Sequence, residues 1–221
     1  MLVYGRNVLK ELSQKKIRKI YISSNELVPY LKENNLKYEF VPKQRLDNMV
    51  KGNHQGIVID IFDYEYYTLD DIDSNFIVIL DHLEDPHNFG SIIRTCECIG
   101  ATNIIIPKDR SVTVNDTVFK VSVGATNYVK IIMVSNLVNA IKKLKKMNYF
   151  VYAADMDGED YRNISYADKK VLIIGNEGNG ISNIVRENSD VVVSIPMKGN
   201  INSLNAGVSA GILLYGMSRD E

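Results

Sequence analysis

The sequence contains no tryptophan, and it has only two cysteines and five prolines among its 221 residues. It also lacks an apolar run of the roughly 18 residues that a membrane span requires, and its N-terminus lacks the apolar core of a signal peptide. Cys96 and Cys98 stand two apart in a predicted helix, where their side chains point to different sides and cannot easily form a disulfide. We therefore expect a cytoplasmic protein with free thiols, no metal centre and no membrane partner.

Neither sign of charge is in large excess, because the formal net charge is −1. The distribution is nevertheless uneven. Residues 1–51 carry eleven Lys and Arg against five Asp and Glu, which gives +6, whereas the remaining residues carry 15 against 22, which gives −7. A basic N-terminal part is typical of a surface that contacts the phosphates of a nucleic acid.

Strand and helix patterns alternate in the first part of the chain and predict a small α/β domain at residues 1–62. His54 lies in a polar turn near its end, and we interpret this histidine as structural, because no positioned partner for catalysis is evident. Residues 63–75 are acidic, rich in tyrosine and without clear periodicity, which predicts a linker. We expect its tyrosines to pack against a domain rather than to stack on bases.

Residues 76–221 show a longer β-α alternation, which predicts a second domain with a parallel sheet and helices on both faces. The predicted strands are Phe76–Leu80, 104–107, 129–134, 150–154, 171–174 and 191–195. A helix is predicted between the first two strands over Ser91–Cys98. Ser203 is the expected N-cap of a last helix from Leu204 to about Met217.

Two loops in this second part follow buried strands and suggest one ligand pocket at the carboxyl edge of the sheet. The first, from Gly175 to Ser182, almost has the spacing of a phosphate-binding P-loop, but Ile181 occupies the position of the required lysine. A dinucleotide fingerprint is also missing. The glycines alone leave open whether these loops bind a ligand or are only tight turns.

Three ordered motifs in this part resemble those of the SpoU class of RNA ribose methyltransferases, over roughly residues 76–218. The first has the pattern D-x-x-x-D-P-x-N-x-G-x-x-x-R from Asp81 to Arg94, the second is G-N-E-G-N-G-I-S from Gly175, and the third joins I-P-M at Ile195 to S-L-N-A-G-V-S-A-G at Ser203. In the N-terminal part, Y-G-R-N-V-L-K-E-L and H-Q-G-I resemble the accessory domain of the large-subunit ribosomal RNA 2'-O-guanosine enzymes.

The resemblance implies a SPOUT fold, in which the C-terminal chain of the parallel sheet forms a trefoil knot, preceded by a ribosomal-protein-like α/β domain. Close threading of that knot would explain the small residues Gly207, Ala210 and Gly211. The resemblance also implies a homodimer and S-adenosyl-L-methionine as cofactor. By position, the cofactor contacts fall on Gly175, Ile195, Met197 and Leu204.

The catalytic residues that the resemblance implies are Asn88, Arg94, Glu177, Ser203 and Asn205. A guanidinium is a poor base near neutral pH, so we favour a role for Arg94 in holding an RNA phosphate and stabilising the developing alkoxide. Without the resemblance, Asn88 would be a turn residue, Glu177 a solvated charge and Ser203 only a helix cap. Ala206-Gly207 departs from the Val-Ser pair that is frequent in the family.

The implied reaction is methyl transfer to the ribose 2'-hydroxyl of a guanosine in large-subunit (23S) ribosomal RNA. Transfer RNA, or another ribosomal nucleotide of the kind methylated by antibiotic-resistance enzymes, is the alternative substrate. A different alternative is a non-catalytic RNA-binding factor for ribosome assembly. The five intact catalytic positions argue against this last possibility.

Overall fold

A computed structural model of the protein describes residues 1–200 and 203–218. Its strands form a four-stranded sheet and a six-stranded sheet. Residues 201, 202 and 219–221, which belong to the predicted second domain, lie outside the described residues. No helix in the described part is both long and apolar enough to cross a membrane.

The four-stranded sheet is built from the N-terminal part. Its strands are β1 Leu2–Tyr4, β2 Ile17–Ile22, β3 Tyr38–Phe40 and β4 Ile57–Ile61, in the order β1-β4-β2-β3. Its α-helices are α1 Arg6–Glu11, α2 Val28–Glu33 and α3 Lys43–Met49, with short 3-10 turns at Gln14–Lys16 and Asn25–Leu27. This agrees with the predicted mixture of strands and helices.

His54 closes the turn that leads into β4, and only 5% of it is exposed. Its Nδ1 accepts a hydrogen bond from the Gly56 amide at 3.0 Å, so Nε2 carries the proton and contacts Asp47 Oδ1 at 2.9 Å. Both ring nitrogens are therefore used within the protein, in agreement with a structural role.

The tyrosines that follow β4 pack against the second part of the chain. The Tyr64 hydroxyl donates to the Val129 carbonyl at 3.3 Å, and the Tyr66 hydroxyl accepts from the Val114 amide at 2.9 Å. Tyr67 adds a short parallel bridge to Ile132. The prediction that these residues pack against a domain is thus confirmed.

The six-stranded sheet is entirely parallel, with the order β10-β8-β9-β5-β6-β7. Its strands are β5 Phe76–Leu80, β6 Asn103–Pro107, β7 Lys130–Val134, β8 Phe150–Asp160, β9 Lys170–Ile174 and β10 Val191–Ser194. The helices are α4 Pro86–Cys98, α5 Asp116–Val121, α6 Leu137–Lys146, α7 Asn183–Glu187 and α8 Ala206–Met217, with 3-10 turns at Leu69–Asp71, Ala125–Asn127 and Tyr161–Asn163.

Alternate residues of β5 enter two different apolar clusters, because successive side chains of a strand point to opposite faces. Ile77 and Ile79 pack with Ile141 of α6 and Val185 of α7. Val78 and Leu80 belong to the cluster that contains buried residues of α4 and α8. The prediction of a parallel sheet covered on both faces is confirmed.

Two predicted helix starts were wrong. Helix α4 begins at Pro86 rather than Ser91, with the Asp85 side chain capping it, because proline fits the first turn of a helix. Helix α8 begins at Ala206, and its N-cap is Asn205 rather than Ser203. Serine and asparagine cap helices about equally well, so the sequence could not decide between these two positions.

Strand β8 is longer than predicted because it contains a large irregularity. Ala153 pairs with Val192 of β10, but the next residue of β10, Val193, pairs with Glu159. Residues 154–158 therefore stand out of the ladder as a bulge. At Gly158, a Cβ atom would lie 2.6 Å from backbone atoms of Val192, so the returning chain packs tightly on β10.

Candidate active site

A cavity of about 360 Å³ lies at the ends of strands β9 and β10 and beside the bulge of β8. The loop after β9, the segment after β10, the residues before α8 and the bulge at 154–158 all contribute to it. The sequence-predicted residues that line it are Gly175, Glu177, Ile195, Met197, Ser203 and Leu204. All four predicted cofactor contacts thus surround a single cavity.

The loop after β9 is fixed by the side chain of Asn176. Its Oδ1 accepts hydrogen bonds from the amides of Gly178 and Asn179, at 2.8 and 3.2 Å, and its Nδ2 donates to the His82 carbonyl at 2.8 Å. The Asn176 and Gly180 backbones also exchange two hydrogen bonds of 2.9 Å. The cavity wall is therefore a compact turn tied to the end of β5.

Asp81 connects the same two segments from inside the protein. The residue is 1% exposed, and its Oδ2 accepts from both the amide and the hydroxyl of Ser182, each at 2.7 Å. His82 contacts the other carboxylate oxygen through Nδ1 at 2.5 Å. The site residues predicted from the sequence do not include Asp81 or Asn176, although the position of Asp81 directly after a buried strand is a usable signal.

Gly175 is needed by the loop itself. A Cβ atom on this residue would lie 2.2 Å from the Gly180 carbonyl carbon and 2.4 Å from the Ile181 nitrogen. Backbone atoms cannot yield as a flexible side chain can. The glycine therefore permits the turn to close, in addition to any close approach of a ligand.

Asn88 links helix α4 to the cavity wall. It is only 7% exposed, and its Nδ2 donates to Glu177 Oε1 at 2.9 Å. A Cβ atom on Gly207 of α8 would lie 3.3 Å from Asn88 Oδ1 and 3.2 Å from Asn205 Oδ1. The N-termini of α4 and α8 thus meet beside the cavity. Gly211, in contrast, has no residue of 1–200 or 203–218 within 4 Å of its Cβ position, so these residues do not provide the close packing expected there.

Asn205 and Arg94 lie outside the cavity lining. Asn205 Oδ1 accepts from the amides of Gly207 and Val208, at 2.9 and 3.2 Å, and so caps α8. Arg94 lies on the exposed side of α4. Among the described residues it has no hydrogen-bond or ion-pair partner, which leaves its guanidinium available to an anion.

The cavity lining fits a nucleoside-like molecule. Apolar side chains line part of it, including Ile174, Val193 and Ile195, while the glycine-rich loop supplies polar backbone atoms without side-chain obstruction. Met197 and Leu204 are each 39% exposed although both are apolar. Within residues 1–200 and 203–218, no group of three or more acidic, His or Cys residues could hold a metal ion.

Known families match both parts of the chain. Residues 75–215 match the SpoU rRNA Methylase family, and residues 2–67 match the RNA 2'-O ribose methyltransferase substrate binding family. The chain belongs to the SpoU rRNA methylase family. The four-stranded sheet accordingly lies in the substrate-binding region of this SpoU protein.

Individual relatives agree with this assignment. YacO of Bacillus subtilis strain 168, provisionally named a TrmH family tRNA/rRNA methyltransferase, is 37% identical over 98% of this chain and 94% of its own. The AdoMet-bound rRNA methyltransferase of Sinorhizobium meliloti is 26% identical, with a TM-score of 0.84 over 99% of this chain and 87% of its own. The A. aeolicus TrmH/SpoU tRNA modifying enzyme is 29% identical, with a TM-score of 0.60 over 68% of this chain and 77% of its own.

The protein is therefore an RNA 2'-O-ribose methyltransferase of the TrmH/SpoU family that uses S-adenosylmethionine. When bound, this cofactor supplies an electrophilic methyl group on a sulfonium. Gly175, Ile195, Met197 and Leu204, which line the cavity, are the residues that would hold it.

A charged cluster lies next to the cavity. Arg186 of α7 pairs with Asp155 and Asp157 of the bulge, at 2.9 and 2.7 Å. Its hydrogen bonds lower the pKa of the Asp157 carboxyl, and those carboxylates raise the pKa of Arg186. The pair of Arg186 and Asp157 therefore stays charged near neutral pH. No sequence motif had marked these three residues, because their proximity arises only from the fold.

We expect Gly175→Ala to weaken S-adenosylmethionine binding by at least about tenfold and to lower the free energy of unfolding by about 1–3 kcal/mol. The added methyl group overlaps the backbone of Gly180 and Ile181, so the loop must distort. Calorimetry and denaturant unfolding measure the two effects. Gly178→Ala is the matched control, because its Cβ would meet only Asn176 Oδ1, at 3.4 Å, and its effects should be clearly smaller. Wild-type affinity in folded Gly175→Ala protein would contradict the argument.

Proposed function

We propose that this enzyme methylates the 2'-hydroxyl of a guanosine in large-subunit (23S) ribosomal RNA. The observation that carries the proposal is the extent of the structural matches. The Sinorhizobium meliloti rRNA enzyme corresponds to nearly the whole chain, whereas the A. aeolicus tRNA enzyme corresponds to about two thirds of it. The additional N-terminal region, with its net charge of +6 over residues 1–51, supports a ribosomal substrate in this proposal. Such a substrate also supports a cytoplasmic location.

The division of labour along the chain is part of the proposal. Residues 1–62 bind the RNA, and residues 63–75 connect the two domains. Residues 76–221 bind the cofactor and transfer the methyl group. The two separate sheets and the two family matches support this division.

In the proposed mechanism, Arg94 holds an RNA phosphate and stabilises the negative charge that develops on the 2'-oxygen. Its exposed guanidinium has no partner among the described residues, and planar N–H donors bind phosphate oxygens in pairs. A guanidinium is a poor base near neutral pH, so Arg94 is not the group that removes the proton. The proton of the hydroxyl then passes to phosphate or water.

The other catalytic candidates orient the ribose beside the cavity. Asn88 fixes Glu177 through the 2.9 Å hydrogen bond, which leaves Glu177 Oε2 to accept a bond from a ribose hydroxyl. Ser203 lines the cavity and offers its hydroxyl from another segment. Asn205 acts through the cap of α8, which places Leu204 and Ser203 at the cavity. Correct alignment of such reactants can lower a barrier by roughly 7–11 kcal/mol.

Arg94→Ala should reduce methyl transfer by more than about 100-fold while leaving cofactor affinity unchanged, because the lost group acts on the transition-state charge. Arg94→Lys should lie between wild type and Arg94→Ala, since a lysine keeps the charge but loses the paired donors. Transfer of tritiated methyl to RNA and calorimetry with S-adenosylmethionine are the two measurements. Glu97→Ala, at an exposed position of the same helix, is the control. Weaker cofactor binding by folded Arg94→Ala protein would count against the assignment.

Mapping of 2'-O-methylated nucleotides in total RNA, with and without the protein, tests the substrate. A single new guanosine in 23S ribosomal RNA is the result that the proposal predicts. New methylation of a transfer RNA or of another ribosomal nucleotide would contradict the proposed substrate but not the proposed methyl-transfer reaction. If no RNA is labelled by a protein that binds the cofactor, the non-catalytic assembly factor becomes the better explanation.

A trefoil knot and a homodimer complete the proposal, and features of α8 support the dimer. This helix has no charged residue from Ala206 to Met217, and a helix that is apolar all round is normally buried. Yet Val208 and Tyr215 are 51% and 54% exposed, and Gly211 between them has an open surface. A second copy packed on this stripe would bury it next to the active site.

Val208→Asp should convert the dimer to a monomer, because a carboxylate would lose its water in an apolar interface. Sedimentation velocity at micromolar concentration measures the change. Ile184→Asp is the matched control, since Ile184 is also apolar and 59% exposed but lies on α7. A monomeric wild-type protein, or a dimer that tolerates Val208→Asp, would contradict the proposed interface.

A further inference from the structure

We propose that Arg186 is a positioning residue for the cofactor, because its ion pairs hold the bulge at 154–158 in the shape that completes the cavity. Arg186 lies in α7, which directly follows the glycine-rich loop of the cavity wall. The bulge supplies Ala154, Asp155 and Met156 to the same cavity. One guanidinium therefore connects two of the chain segments that surround the cofactor.

The contacts of Arg186 are specific. Nη1 donates to Asp155 Oδ2 at 2.9 Å, and Nη2 donates to both carboxylate oxygens of Asp157, at 2.8 and 2.7 Å. A single exposed ion pair contributes little, but a guanidinium shared by two carboxylates in good geometry restricts both. The Arg186 and Asp155 side chains are only 34% and 24% exposed, which limits screening by water and salt.

Asp155 links the Arg186 ion pair to a residue that lines the cavity. While Oδ2 binds Arg186, Oδ1 accepts a hydrogen bond from the Met156 amide at 2.7 Å. Met156 lines the cavity and is 67% exposed, so it is not held by burial in the core. Its position therefore depends on the backbone hydrogen bond to Asp155.

The bulge formed by residues 154–158 is skipped in the pairing register of β8 with β10. Its far end is fixed where the Ser194 hydroxyl donates to the Gly158 carbonyl at 2.8 Å. Its middle is held by Arg186. The backbone of α7 that carries Arg186 is itself fixed, because the neighbouring Val185 is buried in an apolar cluster and only 2% exposed.

Calorimetric titration with S-adenosylhomocysteine tests the proposal without any need for the RNA substrate. Arg186→Ala should raise the Kd by about tenfold, because it removes charged hydrogen bonds that shape the cavity. Arg186→Lys should recover part of the affinity. Asp155→Asn should weaken binding more than Asp157→Asn, since only Asp155 contacts the Met156 amide.

Lys145→Ala is the matched control. Lys145 pairs with Asp190 at 2.7 Å with similar exposure, 33% and 28%, but does not touch the bulge. Its Kd should stay within about twofold of wild type, as is usual for surface substitutions. If Arg186→Ala and Lys145→Ala both lower the melting temperature and neither changes the Kd, Arg186 has only a structural role and the proposal is wrong.

Steady-state kinetics provide a second readout. In Arg186→Ala, the KM for S-adenosylmethionine should rise while kcat at saturating cofactor stays near that of wild type, because the reacting groups are unchanged. A fall in kcat with unchanged KM would contradict a role in cofactor positioning. Should Arg186→Ala fail to fold, Asp155→Asn decides the question, because the substitution is isosteric. Wild-type affinity in that variant would overturn the proposal.

Discussion

The buried carboxylate of Asp81 is the interaction on which the site depends. Burial of a charged group is costly unless hydrogen bonds compensate it, and here Ser182 donates two bonds of 2.7 Å from a position 101 residues away. The end of β5 is thereby fixed to the start of α7. Because the loop from Gly175 to Gly180 lies between β9 and this anchor, a shift of the loop would strain the two hydrogen bonds from Ser182 to the buried carboxylate.

The parallel sheet explains why distant motifs converge. Parallel strands deliver their carboxyl ends to one edge, so the loops after β5, β9 and β10 become neighbours although long segments separate them in sequence. Asn88 and Glu177 are 89 residues apart and still share a hydrogen bond. The anchor at Asp81 and the Asn88–Glu177 bond together join the first motif to the second. The capped start of α8, beside Asn88, adds the third.

Small residues serve different purposes in this arrangement. Gly175 allows the cavity loop to fold on itself, Gly207 allows α8 to approach Asn88, and Gly158 allows the bulge to return to β10. Among the residues that the structure describes, none lies within 4 Å of a Cβ position on Gly211, which stands between the exposed apolar residues Val208 and Tyr215 of α8. The identity of a glycine in the sequence does not reveal whether it serves a turn, a close contact between helices or a surface that a partner covers.

The sequence by itself determined the parallel sheet, the strand Phe76–Leu80, the family and the group of residues around the cavity, because apolar periodicity and short motifs are local signals. Only the tertiary structure decided that Asn205 caps α8, that residues 154–158 leave the ladder, and that Arg186 meets Asp155 and Asp157. The reason is physical. A cap depends on where the helix turns, and a bulge or an ion pair depends on which distant chain segment packs alongside, so neither leaves a periodic pattern in the amino-acid sequence.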